Sequence, residues 1–397
     1  MLITRRLLLL TFLFITSTAL FADAPKSTVA LDPAKLAKVP DVLKDFVAHE
    51  KISGAVTLVA SRDRILQFET VGLADIAGNK PMTKDTLFWI ASMTKPITAT
   101  LFMTLVDEGK ASVDDEVSKY IPSFKDIKLN GKSPSRPITI RDLMTHTSGI
   151  GEAGQSQSVA GSTLEAIADR IAAAPMKFEP GAKWNYGSGL TVIGRIIEVV
   201  TKESYENYLQ KRILDPLDMK ETTFHLTAEQ VPRVAKNYKP GKDGKGLEES
   251  PNVYVPKDPS KKQTPNPSGG LFSTASDLAR FYQMVLNGGE LNGRRILSEK
   301  AVKQMTTLAH DEKIETGFTP GNGWGLGWIL TRVPQGPTAA LTAGSHGHGG
   351  ALGTQGWIDP NRGLIYVLLI QRSNFGNGDG SDVRAAFQNA VAAAMLP

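Results

Sequence analysis

Ser92 stands three residues before Lys95 in "FWIASMTKPITATLFMTLVDEG", residues 88–109. A serine hydroxyl is nearly inert at neutral pH and becomes a nucleophile beside a base. An amine half-buried among apolar groups gives up its proton more readily than a solvated one. Pro96 is tolerated only in the first turn or so of a helix, so the helix holding "TATLFMTLVDEG" is expected to begin close to Ser92. Lys95 then lies one turn away on the same face, at a helix end whose backbone N–H groups point outward. The competing reading is a serine N-cap followed by a solvated lysine. Against it, this is the only S-x-x-K in the chain, and it lies between Phe88-Trp89-Ile90 and an apolar helix, where a solvated lysine is unexpected.

A reactive serine of this kind also needs a group to relay the proton and donors for the oxyanion. Two Tyr-x-Ser/Asn triplets occur, Tyr186-Gly187-Ser188 and Tyr205-Glu206-Asn207. The second falls within the amphipathic "ESYENYLQKRIL", whose polar residues are expected on a solvated face. The first sits in "EPGAKWNYGSGLTVIG", a Gly-rich loop before a helix, which suits a phenol presented to a cleft, so Tyr186 is preferred. In "GSHGHGGALGTQGWID" the glycines allow close approach of another chain, and a strand start there would offer a backbone N–H to a carbonyl oxygen. Read without function, the same stretch is a tight turn with two incidental histidines.

The elements that must position these residues can be read from periodicity. Residues 55–60 and 65–71 are β-branched runs joined by Ser61-Arg62-Asp63-Arg64, which reads as a hairpin. From about residue 111 to 322 the i, i+3, i+4 apolar pattern predominates, in "TIRDLMTHTSG", "STLEAIADRIAAAP", "GLTVIGRIIEVVTKESYENYLQKRIL" and "STASDLARFYQMVLNGG". A Gly/Pro/Lys-rich stretch near 236–270 reads as a long surface excursion. Strands return in "LGWILTRV", "LGTQGWID" and "GLIYVLLIQ", and "SDVRAAFQNAVAAAML" closes the chain as a helix. The expectation is an α+β architecture. An antiparallel sheet is built from both termini, residues 23–110 with 323–397, and a mostly helical domain is inserted at 111–322.

Taken together, the three motifs resemble those of the class C β-lactamase and DD-peptidase superfamily, and within it the family VIII carboxylesterases. The supporting segments run in the family's order from "GLADIAGNKPMTKDTLFWIASMTKPITATLFMTLVDEGK" through "EPGAKWNYGSG" and "GWGLGW" to "GHGGALGTQGWIDPNRGLIYVLLIQ". The resemblance implies a β-lactamase/transpeptidase-like fold, Ser92 as the acylated nucleophile, and Lys95 and Tyr186 sharing acid and base work. Which of the two takes the serine proton stays open. It also implies an oxyanion hole from the backbone N–H groups of Ser92 and Ala351, with Ser188, His348, Gly349 and Gly350 binding substrate. Ser188 stands where lactamases usually carry asparagine, and His348-Gly349-Gly350 where they carry Lys-Thr-Gly. Both departures weaken the case for an efficient lactamase, because the lysine helps bind a substrate carboxylate and a histidine is neutral or partly charged near pH 7.

The expected activity is therefore cleavage of small short-acyl carboxylic esters through an acyl-enzyme. The alternatives are a peptidase or amidase for D-amino-acid or cell-wall-type peptides, a class C-like β-lactamase, or a non-catalytic binding protein on the same fold. The partner is a small ester, amide or lactam. No cofactor or metal is expected: no H-E-x-x-H occurs, and His146 is remote in sequence from His346 and His348. There is likewise no G-x-S-x-G elbow. "NGDGSD" is read as a polar turn whose Ser381 or Asp382 caps the last helix, rather than as a calcium loop.

Arg5 and Arg6, the uncharged run Leu7–Leu20 and the small residues of "ALFADAPKS" have the order of a secretory signal peptide, cleaved after Ala22. The run is short for a bilayer span, which disfavours an uncleaved anchor. Export to the periplasm or beyond is expected, with no stable span afterwards. The formal net charge of +5 becomes 5 − 2 = +3 without Arg5 and Arg6. With no dense basic block, nucleic acid is not an expected partner. There is no cysteine, so neither a disulfide nor a thiol nucleophile is available.

Overall fold

The structure, a computed structural model, describes residues 29–151, 162–375 and 378–396. The expected signal peptide, residues 1–22, lies outside the described residues. Near the N-terminus, Gly54–Ala60 (β1), Ile65–Asp75 (β2) and the short Lys80–Pro81 (β3) form a meander; the later part of the chain contributes Asn322–Trp324 (β4), Ile329–Thr331 (β5), His346–Gly349 (β6), Gln355–Asp359 (β7) and Leu364–Leu369 (β8). All pair antiparallel in one eight-stranded sheet, in the order β4-β5-β6-β7-β8-β1-β2-β3. The two ends of the chain meet at the β1/β8 seam, where Leu58 lies opposite Val367.

Both seam strands are buried along their whole length. The strand period of two explains how a continuous apolar run is used: alternate residues serve different cores. Val56, Leu58, Ala60, Ile365, Val367 and Leu369 join the core made with the middle of the chain. Ala55, Val59, Leu364, Tyr366 and Leu368 join the one made with the terminal helices. Four helices matter to the site: Thr94–Asp107 (α1), Gly189–Thr201 (α2), Ala275–Leu286 (α3) and Asp382–Ala393 (α4). α3 lies on β1, β7 and β8, while α4 packs with Asp41–Ala48. α1 is buried on all sides from Thr94 to Leu105, which is why its sequence is apolar without a clear polar face.

The stretch near 236–270 departs from the expected surface excursion at its end. It begins with a small hairpin, Tyr238–Pro240 against Leu247–Glu249, but Pro267 to Gly270 turn inward and are buried. The reason lies in α1, whose buried polar side chains need partners. Thr98 Oγ1 donates to the Pro267 carbonyl at 2.7 Å. Among the described residues, no helix is long and apolar enough to cross a membrane.

Candidate active site

Ser92 lies in a 3₁₀ turn, Ala91–Met93, that leads directly into α1. The preceding Ala91 has φ 46°, in the left-handed region that non-glycine residues seldom occupy. From Ile90 to Leu105 every residue is buried except Ser92, which remains partly exposed. Lys95 Nζ donates to Ser92 Oγ at 3.2 Å and to the Ser268 carbonyl at 2.7 Å. Burial lowers the Lys95 pKa from 10.5 to about 7, so a substantial share of the amine is neutral at physiological pH. Ser268 is itself tied down, its Oγ sharing a hydrogen bond with Thr191 Oγ1 of α2 at 2.7 Å.

Tyr186 faces this pair. The Lys95 nitrogen is 4.5 Å from the centroid of the phenol ring. Burial pushes the phenol pKa up, and the neighbouring Ser92 hydroxyl offsets part of that rise. The buried hydroxyl makes no well-formed hydrogen bond, yet Ser92 is near enough to influence its acidity. His146 fixes the loop that carries it: its carbonyl accepts from Asn185 N at 2.9 Å and its Nδ1 from Gly187 N at 3.3 Å. The histidine is thus bonded to the residues on both sides of Tyr186, and its ring lies 4.6 Å from the Tyr186 ring. Burial, and then the proximity of Lys95 and His348, holds the His146 pKa well below its usual value. Remote in sequence, His146 is central here: its φ is 62° just past the short helix Ile140–Met144, where Thr147 N donates to the Asp142 carbonyl at 2.9 Å and the Asp142 carboxylate pairs with Arg136.

The sheet supplies the other wall. A cavity of about 390 Å³ is lined by Ser92, Tyr186, His348, Gly349, Gly350 and Ala351, so six of the seven residues expected from sequence around Lys95 come together. The seventh is Ser188, which is buried at the N-cap position of α2 and is not on the cavity wall. The glycines in and just after β6 stand where side chains would not fit. A Cβ on Gly350 would lie 2.5 Å from the Ile90 carbonyl oxygen, and one on Gly349 would lie 2.0 Å from Asp379 Oδ1. His348 is buried, with Nδ1 2.6 Å from the Gly349 carbonyl, and burial beside Lys95 lowers its pKa to about 3. It is neutral throughout the physiological range.

Sequence reasoning missed three residues. Ser268 contributes through its main chain and so left no side-chain signal. Asp379 lines the cavity from within "NGDGSD", where Ser381 indeed caps the last helix. Phe318 lines it from a loop with no motif at all. Trp324 and Trp328 are both fully buried; Trp324 backs the cavity, 5.5 Å from the His348 ring and 5.8 Å from that of Tyr186, whereas Trp328 stacks on Phe281 in the core. Among the described residues, no three His, Asp or Glu side chains gather as a metal site.

A family model described as Beta-lactamase matches residues 39–390. The chain belongs to the β-lactamase family. Within the family it is 32% identical to Esterase EstB of Burkholderia gladioli, over 89% of this chain and 95% of that one. It is also 32% identical to Protein Rv1367c of Mycobacterium tuberculosis, over 81% of this chain and 86% of that one. The solved structure of EstCE1, described as a hydrolase with promiscuous acyltransferase activity, superposes with a TM-score of 0.79 at 24% identity, covering 90% of this chain and 99% of that chain. This member of the β-lactamase family has the family's hydrolase fold, with the large antiparallel sheet flanked by helices.

Proposed function

We propose that this protein is an exported serine esterase that cleaves small, short-acyl carboxylic esters through an acyl-enzyme on Ser92. The observation that carries the reading is Lys95: a buried amine with its pKa near 7, 3.2 Å from the one partly exposed residue of its helical segment. A neutral Lys95 has a lone pair to receive the Ser92 proton while an N–H holds the Ser268 carbonyl. Tyr186, with its pKa raised, stays protonated and is the weaker candidate for base in the free protein, and its O–H can relay a proton from Lys95 to the leaving oxygen.

In the proposed reaction Ser92 Oγ attacks the ester carbonyl carbon and its proton passes to Lys95. The backbone N–H groups of Ser92 and Ala351 stabilise the oxyanion. The tetrahedral intermediate then collapses, breaking the bond to the alcohol oxygen. Tyr186 protonates that oxygen and recovers a proton from Lys95. Water repeats the sequence on the acyl-serine, releasing the acid and restoring Ser92.

The uncharged ester is favoured over a lactam by His348. It stands at the position of the lactamase lysine and is neutral, so it offers no charge to a substrate carboxylate. The esterase relative supports the same substrate class. The test is turnover of p-nitrophenyl acetate and butyrate by the purified chain. We expect hydrolysis well above a Ser92→Ala control and well above hydrolysis of nitrocefin. Activity equal to the control would refute the esterase, and release of D-alanine from a model peptide in its place would establish a peptidase.

A further inference from the structure

Phe318 is the one purely hydrocarbon ring among the described residues that line the Ser92 cavity. The facing wall, Gly349, Gly350 and Ala351, has almost no side chain. Phe318 is nevertheless 37% exposed, one of the few large apolar side chains so placed. Its φ is 73°, left-handed backbone that a bulky residue adopts only when its surroundings hold it there.

Those surroundings are specific. The ring packs edge-on against Tyr186 at 4.7 Å and against Trp184 at 5.6 Å, with interplanar angles of 69° and 83°. Next to it, a Cβ on Gly317 would lie 2.7 Å from the Trp184 ring, so only glycine lets the chain pass this close. On the other side Thr319 is buried, and its carbonyl accepts from Asn322 N at the start of β4. The backbone is therefore anchored before and after Phe318, while the ring stands at the cavity rim against the phenol.

We propose that Phe318 is a specificity-determining residue that limits the size of the alcohol portion of the substrate. The inference rests on the esterase reading, in which Tyr186 protonates the departing alcohol oxygen. The group beside Tyr186 is then the leaving alcohol, and the ring that closes the space beside Tyr186 is Phe318. In this reading the acyl group, bonded to Ser92 on the other side of the carbonyl carbon from the leaving alcohol, is directed away from Tyr186 and so from Phe318.

The experiment compares two ester series on the wild type, Phe318→Ala and Phe318→Gly, the second of which suits the left-handed backbone and guards against misfolding. In acetates of methanol, butanol, hexanol and benzyl alcohol, we expect the kcat/KM ratio of benzyl to methyl to rise at least tenfold in both variants. Across p-nitrophenyl acetate, butyrate and octanoate the relative kcat/KM should stay within about twofold of wild type. Hydrolysis of the acetyl-enzyme is common to every acetate, so any change in it leaves the alcohol ratios unaltered. General loosening of the site would lower all substrates together and leave the ratios alone. Unchanged alcohol ratios, or a shift in the acyl series instead, would overturn the proposal.

Should the wild type cleave no ester in a Ser92-dependent way, the esterase reading fails separately. Phosphonate labelling of Ser92 then carries the test, comparing a p-nitrophenyl phosphonate with the matching fluorophosphonate. Phe318→Ala should raise the relative labelling rate of the bulky leaving group at least fivefold. An unchanged ratio, or no labelling of Ser92, would refute the role of Phe318.

Discussion

The Lys95 nitrogen is closer to the Ser268 carbonyl, at 2.7 Å, than to Ser92 Oγ, at 3.2 Å. The short bond fixes the amine, and the longer one lies along the path a proton would take. An N–H directed at a carbonyl that is itself held in place leaves the lone pair of the neutral amine to face the serine. A main-chain oxygen from a distant loop thus orients the candidate base.

The first prediction concerns pH. The base must be neutral to accept a proton, and burial brings Lys95 to a pKa of about 7. Turnover governed by kcat/KM should therefore rise with pH through about 7 and level off above it, falling tenfold per unit on the acid side. A pH–rate profile with a neutral ester checks this. A profile flat from pH 5.5 to 8.5 would remove Lys95 from the role.

Stability should show the opposite face of the same burial. Between about 7 and 10.5 the unfolded chain carries a Lys95 proton that the folded chain does not, so folded wild type gains stability as pH rises through that window. Below about 7 both states are protonated and the penalty of burying the charge is fully present. Lys95→Met should lose at least about a thousandfold in activity yet unfold later in urea, by on the order of 1–3 kcal/mol below pH 7. The gap should narrow towards pH 10.5. A Met variant less stable than wild type at pH 6 would contradict it.

Gly350→Ala tests the close approach of the segment just after β6 to the serine turn. The added methyl would meet Thr354 Oγ1 at 2.1 Å and the Ile90 carbonyl oxygen at 2.5 Å. Because Ile90 lies two residues ahead of Ser92, the strand and the turn must separate. We expect a loss of roughly 2 kcal/mol or more in stability, and a fall in kcat exceeding the change in KM. Full activity with an unchanged melting temperature would show that the two segments tolerate separation.

His146 should matter through Tyr186. Replacing it with alanine removes the Nδ1 acceptor of Gly187 and the ring against the phenol, and places a Cβ residue less suited to φ 62° in a left-handed position. We expect His146→Ala to lose about tenfold to a hundredfold in kcat. His146→Asn, which tolerates the left-handed region and retains an acceptor, should lose less. Equal losses in the two would argue against a positioning role for the imidazole.

The sheet and most helices were legible because β-branched runs bounded by turns mark buried strands and a 3.6 period marks helices. The unbroken apolar runs of β1 and β8, the hairpin turn at 61–64 and the capped pattern of α3 carry those signatures. β6 does not: His-Gly-His-Gly has no β-branched residue, and its glycines answer to the crowding of the neighbouring strand and Asp379. At the candidate site, the meeting of Ser92, Lys95 and Tyr186 could be anticipated, since the chemistry proposed for them depends on side-chain identity and local motifs. Ser268 acts through a carbonyl that any residue possesses. The motif "RDLMTHTSG" marks Asp142, His146 and Thr147 as fixing a helix end near the cleft, but the left-handed angle of His146 and the place of Phe318 at a rim do not appear in a one-dimensional pattern.

The β1/β8 seam joins residues 54–60 to residues 364–369, and the cavity gathers groups from residue 92 to residue 379. A chain emerging from the ribosome therefore holds its serine for most of its length without the amine pocket or the opposite wall. Loop closure over some three hundred residues must come before any reactivity. In the proposed mechanism the serine would stay unreactive until the last strand docks, so a truncated or stalled copy would be inert as well as unstable, and acylation of Ser92 would report completed folding.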